Sequence, residues 1–360
     1  MFSRIRKEDL IKEVENFLKQ IKEQINTKDT IVIDKPPLSR IRADSKHIVL
    51  HDGIVEFDGS RIKITADSER GATYLLRLTL VLKQILQNLK NNRTIGVREL
   101  YYLSSSWSVP FASQSSLQLM LYDLEIMFGV PKDMLTIYSA LDKKVTLISG
   151  DITIRYKTHK GIKEVNYYED VDRYGAPLPF DVDEIEIVDH NIEKIIAVET
   201  DGMFRRLVEE NYHIKNNILL VHLGGQPARY TRRFLKIMNE EYEIPVYVFN
   251  DCDAFGYRIY AVIRYGSLTS SHISHILACK NAEYIGVTSE DIVNYKLKGE
   301  RLTKNEINHL RAMLKDPRFK SEFWQKQINL MLKLNKSAEQ QALVEKGLDF
   351  PVKYLDEKLS

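Results

Sequence analysis

A chain of 360 residues, 44% of them hydrophobic and 28% charged, is long enough for two or three domains, each with its own core. Its 50 acidic residues nearly balance its 52 basic ones, so a formal net charge of +2 excludes nucleic-acid binding argued from bulk charge, and any such argument must be local. No apolar run is long enough to cross a bilayer, the start MFSRIRKEDL has no hydrophobic signal core, and two cysteines, Cys252 and Cys279, offer no disulfide framework. A cytoplasmic protein with no membrane partner is expected.

Residues 1–30 read as one amphipathic helix, with Ile11, Val14, Phe17, Leu18, Ile21 and Ile25 recurring every three or four positions among lysines and glutamates. It should dock on its own body or on a partner protein. Pro36 and Pro37 open a connecting region, and residues 47–65 alternate as short strands do. A second helix is predicted from Gly71 to Lys90 through Leu75, Leu78, Leu82 and Leu86. After the polar stop NNRT comes a short helix, IGVRELYYLS, then the loop WSVPFAS and a third helix, SLQLMLYDLEIMFG. The run VTLISGDITIRY reads as two strands turning at Ser149, Gly150 and Asp151, a hairpin. Three helices followed by a hairpin is the element order of a winged helix-turn-helix, which usually lays its third helix on DNA. Such modules also serve as protein-contact domains.

Within that module, helical geometry separates Tyr101 from Tyr102. Tyr101 follows Val97 by four residues and shares the core-facing stripe, whereas Tyr102 follows Arg98 by four, which sets a guanidinium beside its hydroxyl. A free tyrosine has a pKa of about 10 and is a poor nucleophile at neutral pH, so a neighbouring cation is what a reactive one needs. A surface Tyr–Arg pair explains the same spacing without chemistry.

Residues 157–190 are mixed and polar, with KTHKGIK as a basic patch, and are expected to connect two domains. A second domain begins near Glu193: strand IIAV, helix DGMFRRLVEEN, strand ILLVHL, turn GGQP, helix ARYTRRFLKIMNEE, strand IPVYVF, helix AFGYRIYAVIRYG. Short apolar runs alternating with amphipathic helices indicate a parallel sheet covered on both faces, whose ligands bind beyond the carboxyl ends of the strands. The first strand ends in Glu199. The third ends in Asp251 and Asp253, which an extended backbone points to one side. Three carboxylates at one edge suit a hard divalent cation such as Mg²⁺; turn and cap roles are the bland alternative for the aspartates. Arg229, Arg232, Arg233 and Lys236 on one helix suit a polyanionic backbone, or else a solvated face. His272, His275 and Cys279 lack a fourth ligand and a zinc spacing, and a buried face around Ile273, Ile276 and Leu277 explains them. Thr303 and Glu306 form a capping-box pattern, and the tail reads as two helices that pack on the sheet domain or on a second copy of it.

RELYYLS, AVETDGMFRRL, PARYTRRFLK, VFNDCDAFGY and the tail from DPRF to the AEQQAL segment, in this order and spacing, resemble the A subunits of archaeal type IIB DNA topoisomerases (topoisomerase VI) and the related meiotic double-strand-break protein. The resemblance covers nearly the whole chain. It implies an α+β multidomain fold, a winged-helix domain followed by an α/β Toprim domain with a parallel sheet: residues 1–68 as N-terminal helix and connection, 69–156 as the winged helix, 157–360 as Toprim with a helical extension. Carried over by position, it makes Tyr102 the nucleophile with Arg98 beside it, and Glu199, Asp251 and Asp253 the Mg²⁺ ligands. Ala254 and Phe255 stand where relatives often have Pro and Tyr, and Asp201 where a small residue is common, which bears on local geometry more than on the ligands.

The implied activity is that of a type II DNA topoisomerase: Mg²⁺-dependent transesterification of double-stranded DNA leaving 5′-phosphotyrosyl breaks. The implied partners are a second copy of the chain and a B subunit that binds ATP, giving an A2B2 heterotetramer; the chain itself has no GxxxxGK[ST] loop. A dedicated double-strand-break protein, a Toprim nuclease that would survive loss of Tyr102, and a non-catalytic DNA-binding scaffold are the alternatives.

Overall fold

A computed structural model of the chain describes residues 6–27, 30–35, 48–57, 62–138 and 144–360. Pro36 and Pro37, expected to open a connecting region, lie outside these residues, as do the first five. The chain forms two compact units, Met1–Ile41 with Phe57–Lys143, and Arg42–Glu56 with Lys144–Ser360.

The first unit begins with α1 (Lys7–Thr27), whose Leu10, Val14 and Ile21 are buried, while Ile25, counted on the apolar face, is 60% exposed. Strands β1 (Val32–Lys35) and β4 (Ile62–Thr65) follow; between them in the chain, the hairpin of β2 (Ile48–His51) and β3 (Ile54–Phe57) belongs, up to Glu56, to the second unit. β1 and β4 pair antiparallel, with Val32 opposite Thr65. Next is α2 (Glu69–Lys90), capped by the Ser68 hydroxyl on the Gly71 N–H and buried along Leu75, Leu78, Leu82, Ile85 and Leu89. α1 lies on α2, joined by an ion pair of Glu15 with Lys90, and Phe17 meets Phe128 edge to face at 5.8 Å. The leading helix thus docks within its own unit. β5 (Ile95–Gly96), α3 (Val97–Ser104), α4 (Gln114–Phe128) and β6 (Ile137–Tyr138) complete it, with β5 and β6 paired parallel.

The expected hairpin of VTLISGDITIRY does not form. β7 (Leu147–Ser149) and β8 (Ile152–Thr158) separate at Gly150 into different sheets of the second unit. Gly150 has φ +157°, and a side chain there would come within 2.8 Å of the Ile218 carbonyl oxygen, so only glycine lets the chain pass so close to its neighbour strand. The segment read as a polar connection is likewise ordered: β9 (Gly161–Asn166) and β11 (Glu186–His190) flank β8 in an antiparallel three-stranded sheet, and KTHKGIK is its hairpin tip. Alternation in β8 buries Ile152 and Ile154 while Arg155 pairs outward with Glu164 and Glu186.

The larger sheet has six strands in the order β10 (Ala176–Pro177), β7, β13 (Ile218–His222), β12 (Lys194–Val198), β14 (Val246–Phe249), β15 (Glu283–Gly286). The last four run parallel, and β7 joins β13 antiparallel. Ile195–Val198 and Ile218–Val221 are fully buried, as strands covered on both faces must be. The helices are α5 (Asp201–Glu209), α6 (Tyr212–Lys215), α7 (Arg229–Glu240), α8 (Ala254–Arg264), α9 (Ser274–Leu277), α10 (Ser289–Asn294), α11 (Lys304–Met313), α12 (Glu322–Leu334) and α13 (Phe350–Leu359). Thr303 and Glu306 form the expected capping box at α11. The tail packs on its own sheet unit: Trp324 of α12 is enclosed by Tyr257, Tyr260, Tyr284 and Phe319 with ring centroids 4.9–5.4 Å away.

Candidate active site

α3 starts where β5 ends, with the Gly96 N–H donating to the Glu99 carboxylate at 2.6 Å. Val97, Leu100 and Ser104 form the buried stripe of the helix. Positions 98 and 102 therefore share the opposite face. Tyr102 is 59% exposed, and Arg98 reaches back along the helix so that Nη2 lies 3.4 Å from Oη, with the guanidinium carbon 5.7 Å from the ring centroid. The tyrosine oxygen holds Arg98 more firmly protonated. Tyr101 is half-buried rather than fully core-facing, its ring 5.8 Å from that of Tyr102.

In the second unit, β12 and β14 are parallel neighbours with Val198 opposite Phe249, so the residues that follow them emerge together at the carboxyl edge of the sheet. The Asp251 N–H donates to Glu199 Oε2 at 3.0 Å. Beyond β14 the backbone stays extended: Cys252 pairs its main chain with Ala338 and turns its thiol inward toward the Tyr257 hydroxyl, which leaves Asp251 and Asp253 on the other side. Asp253 caps α8 through the Gly256 N–H at 2.6 Å, so its bland and its functional reading coexist. Asp251 Oδ1 accepts the Gln340 N–H at 2.8 Å, and the Gln340 side chain donates to the Phe249 carbonyl at 2.8 Å. Gln341 and Gln340 both hydrogen-bond the Thr200 hydroxyl that caps α5.

These carboxylates resist ionisation. Burial, then the charges of Asp251 and Asp253, push Glu199 up to about 8; burial pushes Asp251 up to about 6 against the Gln340 N–H; burial also raises Asp253. Glu306 and Glu339 add to the negative field at Asp253. Among the described residues no group of three or more His, Cys, Asp or Glu side chains is gathered tightly enough to hold a metal ion as a ready-made cage. The donors present, buried all-oxygen carboxylates whose charges want neutralising, fit Mg²⁺, which takes one or two carboxylates and fills its remaining positions with water and substrate phosphate.

Two sequence readings change here. Arg229, Arg232, Arg233 and Lys236 of α7 form neither an open polyanion surface nor a solvated face: all four are buried. Arg233 is held by Asp183 and the Ile276 carbonyl, Lys236 by Glu240 and the Ala278 carbonyl, so these charges tie α7 to its neighbours. Around Cys279, the buried Ile273, Ile276 and Leu277 match the apolar reading of that segment. Sequence reasoning gave no role to Gln340, whose bonds to Asp251 and Phe249 span about ninety positions. The Gln340–Gln341 pair inside an otherwise helical tail was its only visible trace.

No helix among the described residues is long and apolar enough to cross a membrane. Residues 194–359 match the family model for the Toprim domain of the topoisomerase 6 A subunit and Spo11, and residues 73–137 match the model for type IIB DNA topoisomerase. Proteins named as the A subunit of type 2 DNA topoisomerase 6 are similar along most of both chains: that of Archaeoglobus fulgidus is 41% identical over 298 residues, covering 82% of each chain. Those of Halobacterium salinarum and Methanosarcina acetivorans are each 40% identical over 82% of this chain and 81% and 79% of theirs. With a Toprim domain built on a mixed sheet of mainly parallel strands and this similarity along four-fifths of its length, the chain belongs to the family of type 2 DNA topoisomerase 6 A subunits.

Proposed function

We propose that the chain is the DNA-cleaving subunit of a type IIB topoisomerase and cuts both strands of a duplex by reversible transesterification. Tyr102 Oη attacks a backbone phosphorus, the bond to the 3′ oxygen breaks, and the phosphate stays on the 5′ end as a phosphotyrosine. Energy of the broken phosphodiester is kept in the new bond, so rejoining needs no cofactor. Arg98 steadies the charge on the attacking oxygen. Glu199, Asp251 and Asp253 would hold Mg²⁺, which when bound supplies polarisation of the phosphate and stabilisation of the leaving 3′ oxygen. The observation that carries this reading is the placing of these acids at the carboxyl edge of β12 and β14, in a chain that also sets Arg98 beside an exposed Tyr102, as the resemblance to the family implies.

The order α2, β5, α3, α4, β6 supports a winged-helix module around Tyr102, with α4 as the helix laid on DNA. Because Tyr102 and the acids belong to different units, the working form is a homodimer in which each tyrosine serves the other copy's acids. Strand passage requires ATP bound by a B subunit in an A2B2 assembly.

The test mixes the chain with the matching B subunit, supercoiled plasmid, Mg²⁺ and a nucleotide, then stops the reaction with detergent. Protein bound to 5′ DNA ends, absent in Tyr102→Phe, is the expected result. Free ends, or linkage that persists in Tyr102→Phe, would overturn the assignment.

A further inference from the structure

A lysine that the proposed reaction leaves idle stands at the same sheet edge. The main chain of Lys144 is pinned to α7: its carbonyl accepts the Tyr230 hydroxyl at 2.8 Å, and the Thr146 N–H donates to that same hydroxyl at 2.8 Å. Its side chain then runs over the turn that follows β13. Gly224 and Gly225 have φ of +62° and +80°, and a side chain at Gly224 would meet Lys144 Cε at 2.8 Å and Nζ at 3.0 Å. The turn is fixed to the acid strand in turn: the Gly225 N–H donates to the Glu199 carbonyl at 3.0 Å, and the Leu223 N–H to the Val198 carbonyl at 2.8 Å. Gly224 therefore keeps open a slot for the lysine, on a turn that is bonded to the main chain of Glu199.

Lys144 is half-buried, and among the described residues no carboxylate is hydrogen-bonded to its ammonium. It still feels the charge of Glu199, which opposes the effect of its burial. A fixed, partly desolvated cation beside the acids, yet not spent on any of them, is arranged for an anion that arrives from outside.

We infer that Lys144 contacts a non-bridging oxygen of the phosphate being cleaved, held in place by the Gly224–Gly225 turn. This rests on the transesterification reading above. As the bond from Tyr102 Oη to phosphorus forms and the bond to the 3′ oxygen breaks, the tyrosine proton leaves to solvent and the 3′ oxygen takes one up. Negative charge grows meanwhile on the non-bridging oxygens, where a preplaced ammonium acts without reorganisation. A lysine present only to offset the acid cluster would act on the metal instead, and its loss would tighten Mg²⁺ binding.

Duplexes carrying an ordinary phosphate or an uncharged methylphosphonate at a single cleavage position, with chain and B subunit together, separate these roles. Lys144→Ala should lower covalent linkage by about 10²-fold on the phosphate, the size of losing one preorganised donor. Lys144→Arg should retain most activity, and the penalty of Lys144→Ala should nearly vanish on the methylphosphonate. An equal penalty on both substrates would overturn the inference. Gly224→Ala, whose methyl displaces the ammonium, should reproduce the defect and add little to Lys144→Ala.

A second measurement does not depend on cleavage. With Ca²⁺ in place of Mg²⁺, the slope of log binding constant against log salt should fall by about 0.9 in Lys144→Ala, the signature of one lost phosphate contact. An unchanged slope also sinks the contact. If the wild-type chain itself leaves DNA ends free, the transesterification reading fails, and the salt slope still decides whether Lys144 holds phosphate.

Discussion

The exposed face of α3 and the carboxyl edge of β12 and β14 carry the two halves of one proposed reaction on opposite physical terms. Tyr102 and Arg98 stand in solvent, touch mainly each other, and bury nothing that the fold needs. Glu199 is 8% exposed, crowded by two aspartates, and bound to main-chain groups that hold the sheet edge together. A nucleophile on an exposed face can be changed without touching the core. Buried like charges cannot, because their repulsion and desolvation are part of the stability of the unit. Activity and stability should therefore come apart in a different way at each place.

The largest effect expected is at the exposed half. Tyr102→Phe removes one oxygen from a solvent-facing ring, so covalent DNA linkage should fall by at least about 10³-fold, as for loss of an essential nucleophile. The melting temperature should stay unchanged, since exposed substitutions of this kind usually move stability by less than about 0.5 kcal/mol. Gel analysis of detergent-stopped reactions, beside a calorimetric scan, checks both. A Tyr102→Phe chain that melts early would mean that the ring is packed as the acids are, and the contrast would collapse.

Glu199→Gln sharpens the contrast from the other side. It keeps the shape and removes the charge, so cleavage should drop by about 10²-fold or more, yet the metal-free chain should become more stable at pH 8. The sign follows from the raised carboxyl: the folded chain keeps a proton on Glu199 up to about 8, where the unfolded chain has already released it near its ordinary value. Its favourable contribution is thus complete at low pH and fades as pH rises through about 8. Buried His213, pushed down to about 4, works oppositely and only below its ordinary value near 6.5. Between pH 6.5 and about 8 the metal-free wild type should lose melting temperature steadily, and the fall should level off above that. Glu199→Gln should flatten that slope, and Mg²⁺ should flatten it in the wild type. A wild-type slope that neither change alters would show that Glu199 is ordinary.

How far the sequence disclosed these two places depended on whether their geometry is local. Arg98 and Tyr102 are one helical turn apart, and the pattern that buries Val97 and Leu100 aims them outward, so residue spacing was sufficient. Strands ending in Glu199 and in Asp251 and Asp253 were legible because short apolar runs between amphipathic helices leave few arrangements other than parallel neighbours. What stayed hidden is non-local. VTLISGDITIRY has a hairpin's pattern, but at Gly150 one half pairs with β13 and the other with β9 and β11, partners that no local period announces. Arg233 and Lys236 of α7 look like a surface in sequence because the groups that absorb them are remote: Asp183 lies fifty positions before Arg233, Ile276 lies 43 after it, and Ala278 lies 42 after Lys236.

Gln340 is the smallest of these effects and the one that joins the two arguments, since it belongs to the tail yet completes the buried edge. Its side chain is fully buried, donates to the Phe249 carbonyl and accepts from the Thr200 hydroxyl, whereas its contact with Asp251 comes from the main chain. Gln340→Ala removes two hydrogen bonds, one of the two donors on the Phe249 carbonyl, whose other is the Glu199 N–H, and the acceptor of the Thr200 hydroxyl; at about 0.5–1.5 kcal/mol each, their loss should cost about 1–3 kcal/mol. The N–H aimed at Asp251 survives the substitution. Mg²⁺ affinity and cleavage should therefore fall only a few-fold while thermal stability falls clearly, the reverse of Tyr102→Phe. Calorimetric titration with Mg²⁺ beside a thermal scan distinguishes the cases. A loss of affinity as large as that of Glu199→Gln would mean that the side chain, and not the backbone, sets the position of Asp251, and that the acid edge is built from the tail inward.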